Sequence, residues 1–178
     1  MYHRQFNSVM YPLNELWVAN VLRMDVNPRS SGIDLSDKRK DVEVKFTRQR
    51  DGECIHKSWR VLGHELEFAK SGRPSFWALG FYFLNEEIKN IHVKTQLALE
   101  KKVVMREVFV LPWKWMYQYP TYHHVGQTRK SKWDHWLIFC KYKDFPRTTS
   151  TYSVKGGKVN LTWGVPTILF DNIDGVKI

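Results

Sequence analysis

The sequence predicts an α/β protein: a helix, two or three short strands, a second helix and a long strand, followed by a β-rich second half. Three observations carry this reading. PLNELWVANVLRM, from Pro12 to Met24, has the apolar spacing of a helix. Two β-rich segments flank the polar loop 36–41, as in a hairpin. The unbroken apolar run FWALGFYFL, from Phe76 to Leu84, is about half the ~20 residues of a membrane span and reads as a strand buried on both faces.

Composition narrows the class. The 178 residues, 43% hydrophobic and 15% aromatic, suffice for one packed domain. Residues 1–90 are expected to form its core and 91–178 to elaborate it. Lys and Arg number 28 against 18 acids, and the net charge of +10 attracts polyanions, nucleic acid before an acidic membrane surface. Only Cys54 and Cys140 are present, without CxxC spacing, which argues against a disulfide framework or structural zinc site and suits a reducing, cytoplasmic compartment. The N-terminal residues lack the pattern of a secretory signal, and no segment is apolar enough to place the chain in a membrane.

Taken in order, Pro12 stands at the start of the first helix, where its missing N–H costs nothing. The stretch 27–32, NPRSSG, ends it, with room for a short strand in 23–27. Ile33 to Leu35 and Val42 to Thr47 are strands, and 49–53 is a polar turn. Residues 59–70 read as the second helix, because Ser71-Gly72 and Pro74 supply stop signals. Ser75 to Leu84 is the buried strand. Beyond residue 88 the clearest strand is 106–111; after Pro112 comes an aromatic and basic region, with late strands at 136–142 and 158–163.

The hairpin carries the chemistry. A loop tightened around Lys38 and Arg39 pairs residues whose numbers sum to 77, so Asp34 faces Glu43, on the same side with Cβ atoms about 5 Å apart. Lys45, one pleat along, shares that side. Two carboxylates this close repel unless a cation lies between them, and Mg²⁺ takes one or two carboxylates plus water and phosphate oxygens. An ammonium beside them stabilises charge on an attacking water or on phosphorus. Phosphodiester hydrolysis is the natural reaction. Two other acid-x-Lys copies, 87–89 and 100–102, lack a preceding strand with an acid and read as surface charge.

Asp34 followed by Glu43-Val44-Lys45 resembles the signature of the PD-(D/E)xK nucleases, the family of restriction endonucleases and Holliday-junction resolvases, over roughly the first half of the chain. Ile33 stands in place of the signature's proline, and the Asp-to-Glu interval is at the short end. The resemblance implies a restriction-endonuclease-like αβββαβ core of mixed sheet flanked by helices, with a β-rich C-terminal elaboration. It implies Mg²⁺, with Mn²⁺ able to substitute, bound by Asp34, Glu43 and the Val44 carbonyl, and Lys45 acting on the water. Glu15 fits the acid that many members carry on the first helix, and His64 a polar position on the second. DNA is the expected substrate, duplex or branched, with RNA also open, and a homodimer the expected assembly. Phosphate contacts are expected from Lys38, Arg39, Lys40, Arg48 and Arg50 around the hairpin and from Arg129, Lys130 and Lys132. The aromatics Trp113, Trp115, Tyr117, Tyr119, Tyr122, Trp133 and Trp136 are mostly core, with stacking on bases the functional option. The alternative reading is a nucleic-acid-binding protein without catalysis, using the same basic and aromatic surface.

Overall fold

A computed structural model describes residues 2–28, 33–49, 56–62, 72–85, 100–118, 121–127, 132–141 and 145–173. Helix α1 spans Tyr2–Leu22 and has Pro12 in its interior rather than at its start. The ring removes one helical hydrogen bond, yet Met10, before it, is already fully buried, so packing holds the earlier turns in register. The helix stops where Arg23 takes a left-handed φ of 52°. Met24 N–H then donates back to the Ala19 carbonyl at 2.9 Å, and both side chains are buried, the pairing of a Schellman cap with Arg in the usual glycine position.

Ten strands follow: β1 (Asp25–Val26), β2 (Leu35–Ser36), β3 (Asp41–Gln49), β4 (His56–Leu62), β5 (Ser75–Leu84), β6 (Val103–Pro112), β7 (Thr121–Gln127), β8 (Lys132–Lys141), β9 (Thr148–Val154) and β10 (Gly157–Thr162). Among the described residues two 3₁₀ segments, Trp113–Gln118 and Thr167–Phe170, punctuate them. Seven strands form a mixed sheet in the order β1-β2-β3-β5-β6-β10-β9; β4, β8 and β7 form a separate antiparallel sheet. In the large sheet β3 runs parallel to β5 and β6 parallel to β10, and the remaining pairs are antiparallel.

The chain is therefore α/β, with one correction to the expected order. The helix anticipated over 59–70 is replaced in 59–62 by β4, which pairs with β8 from Leu62 opposite His135 to His56 opposite Lys141. Trp59 and Val61 favour a pleated surface as readily as a helix, and a strand partner far along the chain decides between them. Residues 63–70, His64 included, lie outside the described residues. Among the described residues no helix is long and apolar enough to cross a membrane.

Alternation gives the large sheet two buried faces. Val42, Val44 and Phe46 of β3, with Phe76, Ala78, Val108, Val110, Val159 and Leu161, pack against Met10, Val18, Ala19 and Leu22 of α1. On the other face Trp77, Leu79, Phe81, Phe109 and Leu111 pack with Trp113, Trp115 and Phe145. β5 is buried from Ser75 to Tyr82, as its continuous apolar run implies. Gly80 lies beside Phe46 in the β3–β5 register, and a Cβ there would stand 2.3 Å from the Phe46 ring. β9 escapes the sequence reading because TTSTYSV is a mostly hydroxylated edge strand, alternately exposed and half-buried, whose inner face offers the core only Tyr152 and Val154.

Candidate active site on the β2–β3 hairpin

The hairpin is built from its turn outward. Asp37 Oδ1 accepts the backbone N–H groups of Arg39 (2.6 Å) and Lys40 (2.9 Å), and Asp37 N–H donates to the Lys40 carbonyl at 3.0 Å. Its other oxygen is ion-paired with Lys40 Nζ. Burial alone raises the Asp37 carboxyl, but the hydrogen bonds from the Lys40 ammonium and the two amides outweigh it and hold the group below its ordinary value. Lys40 is only 2% exposed, and its Nζ lies 4.9 Å from the centroid of the Phe170 ring. Arg39 donates to both carboxylate oxygens of Asp171, at 2.8 and 3.3 Å, and to the Ile168 carbonyl at 3.0 Å. The hydrogen bond from Arg39 holds the Asp171 carboxyl low. A turn that is polar in sequence is thus gripped from a segment more than 120 residues away.

Leu35 pairs with Val42 and Ser36 with Asp41, the register anticipated from the loop length, and its continuation sets Asp34 across from Glu43. At Asp34 the ladder changes character. The Asp34 carbonyl accepts Asn27 N–H at 2.8 Å, while its carboxylate Oδ2 accepts the Val44 N–H, also at 2.8 Å. The acid is tied to the peptide between Glu43 and Val44.

Glu43 is 2% exposed and lies beside Trp77 in the β3–β5 register; the Trp77 ring stacks on Trp113 at 4.0 Å. A carboxylate in such surroundings costs several kcal/mol unless it is paired. Lys45, one fifth exposed, supplies the partner through an ion pair from Nζ to Glu43 Oε1. Asp34, Glu43, Val44 and Lys45 are therefore brought together.

Sequence reasoning missed two members of this face. Asp41, two residues before Glu43, is buried and paired with Arg73 Nη2 at 3.0 Å, and Arg73 Nη1 donates to the Asp37 carbonyl at 3.1 Å. Strand alternation alone would have found Asp41; nothing local announces Arg73.

Other anticipated residues are placed elsewhere. Glu15, half-buried, belongs to α1, which covers the Val42, Val44 and Phe46 face, so it and Glu43 approach the sheet from opposite sides. Arg48 pairs in register with Tyr82, a member of the α1-facing core, and therefore points away from Glu43 and Lys45. Burial pushes the Tyr82 hydroxyl up, with Arg48 and Arg106 opposing that rise. Of the hairpin cations, Lys40 is committed to Asp37 and Arg39 to Asp171, which leaves Lys38 facing solvent. Lys132 opens β8 in the small sheet; Arg50, Arg129 and Lys130 lie outside the described residues. Trp113 and Trp115 are core, Tyr117 falls in a 3₁₀ segment, Tyr122 on β7, and Trp133 and Trp136 on β8; Tyr119 lies outside the described residues. Glu100 is more than surface charge: it holds the buried Arg106 guanidinium through two bonds of 2.9 and 2.7 Å. Residues 87–89 lie outside the described residues.

The donors of the hairpin fit a hard divalent ion. Asp34 and Glu43 offer carboxylate oxygens on one face, and the Val44 peptide lies against Asp34. Among the described residues no three His, Cys, Asp or Glu side chains gather as a metal-binding group, so an ion here would complete its shell with main-chain and water oxygens. Comparison with known proteins finds no matching family model, no matching curated protein and no matching solved structure.

Proposed function

We propose that this chain is a Mg²⁺-dependent endonuclease of the PD-(D/E)xK kind, hydrolysing phosphodiester bonds in DNA. The observation that carries the reading is the hairpin register: Leu35 pairs with Val42 and Ser36 with Asp41, a register whose continuation sets Asp34 across from Glu43, and Lys45 is paired with Glu43. The topology around it supports the restriction-endonuclease-like assignment, since β1, β2 and β3 form an antiparallel meander, β5 joins β3 in parallel, and α1 covers the opposite face.

Asp34, Glu43 and the Val44 carbonyl would hold the ion, which when bound supplies Lewis-acid polarisation of the phosphoryl oxygen. Asp34, anchored by the Val44 N–H, needs little reorganisation to present its second oxygen. The Lys45 ammonium, relieved of neutralising Glu43, turns its charge toward the attacking water and the developing phosphorane. Trp77 and Trp113 keep the Glu43 side apolar, which strengthens each of these interactions. Cutting both strands of a duplex takes two such sites, which a symmetric homodimer supplies.

The test incubates plasmid, four-way junction and single-stranded DNA with and without Mg²⁺. Cleavage by the wild type and its loss by about 10²-fold or more in Asp34→Ala and Lys45→Ala, with binding retained, is the expected outcome. One observation favours a non-catalytic binding protein instead: the Glu43–Lys45 pair neutralises the buried carboxylate without any metal. Binding with no cutting of any substrate by the wild type identifies that reading.

A further inference from the structure

Cations gather at the end of the seven-stranded sheet where the β2–β3 hairpin turns. β5 begins at Ser75 beside Asp41, β6 ends at Pro112 beside Phe76, and Thr162 at the end of β10 pairs with Thr148 at the start of β9. The hairpin loop 37–40 and the segments 72–74, 113–115, 145–147 and 163–171 therefore emerge at the same end. Among the described residues these segments and the strand ends they join, with Arg23 and Asp25 where β1 begins beside Ser36, carry seven Lys or Arg (Arg23, Lys38, Arg39, Lys40, Arg73, Lys114, Arg147) against four acids.

Three of those acids are held by cations, Asp37 by Lys40, Asp41 by Arg73 and Asp171 by Arg39, and Asp25 is exposed. Lys38, Lys114 and Arg147 are exposed and have no carboxylate within ion-pair distance among the described residues. Beside Arg147, whose carbonyl accepts the Trp163 N–H at 2.8 Å, the Trp163 side chain is 74% exposed. A tryptophan so exposed among surplus cations is unexplained by packing, since the apolar faces of the sheet are filled by other side chains.

We infer that this end is a polynucleotide-binding surface, with Lys38, Lys114 and Arg147 spaced along the phosphates of one strand and Trp163 stacked on an unpaired base. The four strand-to-strand steps from β3 to β9 span about 19 Å, the axial rise of about five to six nucleotides. Asp41 lies at this end and Glu43 about 7 Å further in, so a strand following the cations passes next to the carboxylates. The inference deepens the nuclease reading and rests on it for which bond is presented to Glu43. The cations bind any sequence through charge, and the indole accepts any base through its π-face, so the surface is sequence-tolerant.

Fluorescence anisotropy of a labelled 12-nucleotide single strand and a 12-base-pair duplex, in EDTA over a range of salt, tests it. Lys114→Ala/Arg147→Ala is expected to weaken both by more than tenfold near 0.1 M salt and to lower the slope of log K against log salt by about 1.5–2. Trp163→Ala is expected to weaken the single strand by about 5–100-fold without changing the slope, with Trp163→Phe restoring most of it. Lys101→Ala/Lys158→Ala removes the same charge at the opposite end and serves as the control. Equal losses from both double variants, no change from the first, or displacement of the oligonucleotide by poly-glutamate as readily as by unlabelled DNA would overturn the proposal. EDTA separates the two readings: this binding pattern without cutting in Mg²⁺ removes the nuclease alone, whereas cutting indifferent to these variants removes this surface alone.

Discussion

The Glu43–Lys45 pair turns on a single ammonium. Lys45→Ala leaves a carboxylate buried beside Trp77 with its ion-pair partner removed, and is expected to cost about 3 kcal/mol in urea unfolding. The double variant Glu43→Gln/Lys45→Met is expected to cost less than the two single changes added together, because it removes the charge along with its partner. Asp37 gives a second handle. Its folded carboxyl titrates below the ordinary 3.8, so the unfolded chain binds its proton first as pH falls. The stability it contributes is whole above the unfolded value and is lost as pH drops through the lowered one. Asp37→Asn is expected to flatten the acid limb of a stability-against-pH curve below about pH 5 and to lower its neutral plateau. At this scale the pairing of Leu35 with Val42 and of Ser36 with Asp41 was legible in the sequence, since it needs only a loop length and a period of two. The burial of Lys40 and Asp41 was not, because Phe170 and Arg73 reach them from distant segments.

Among the elements, β5 is the one on which both faces depend. Gly80 admits the Phe46 ring where a methyl group would collide, and Gly80→Ala is expected to destabilise the protein by about 1–3 kcal/mol in thermal unfolding, with Phe46→Leu in the same background recovering part of the loss. Such a strand is easy to read, because burial on two sides leaves no polar residue to blur it. The sequence reading sets the end of α1 two residues late, at Met24 instead of Leu22, and its start ten late: Pro12 looks like a beginning until Met10 is seen in the core. β4 misled for a related reason. Its residues suit two structures equally, and β8, some 75 residues later, settles the matter.

For the molecule as a whole, the two faces of the sheet do different work. One is closed by α1; the other carries the acids beside an aromatic cluster, and the 163–171 segment reaches across to the hairpin. Phe170 meets the Phe76 ring edge-on at 5.0 Å and lies under Lys40, so Phe170→Ala is expected to cost about 3–4 kcal/mol. In hydrogen exchange, the loss of protection is expected to appear first at Asp41 and Val42, ahead of β6. This grip also sets a schedule for biosynthesis. Arg39 and Asp171 are separated by 132 residues, and a ribosome adding about 5–20 residues per second needs roughly 7–26 s to pass from one to the other. During that interval a nascent chain already bears Asp34, Glu43 and Lys45 on a hairpin whose tip is held by its own turn and by Arg73, and the grip of Asp171 and Phe170 is added last.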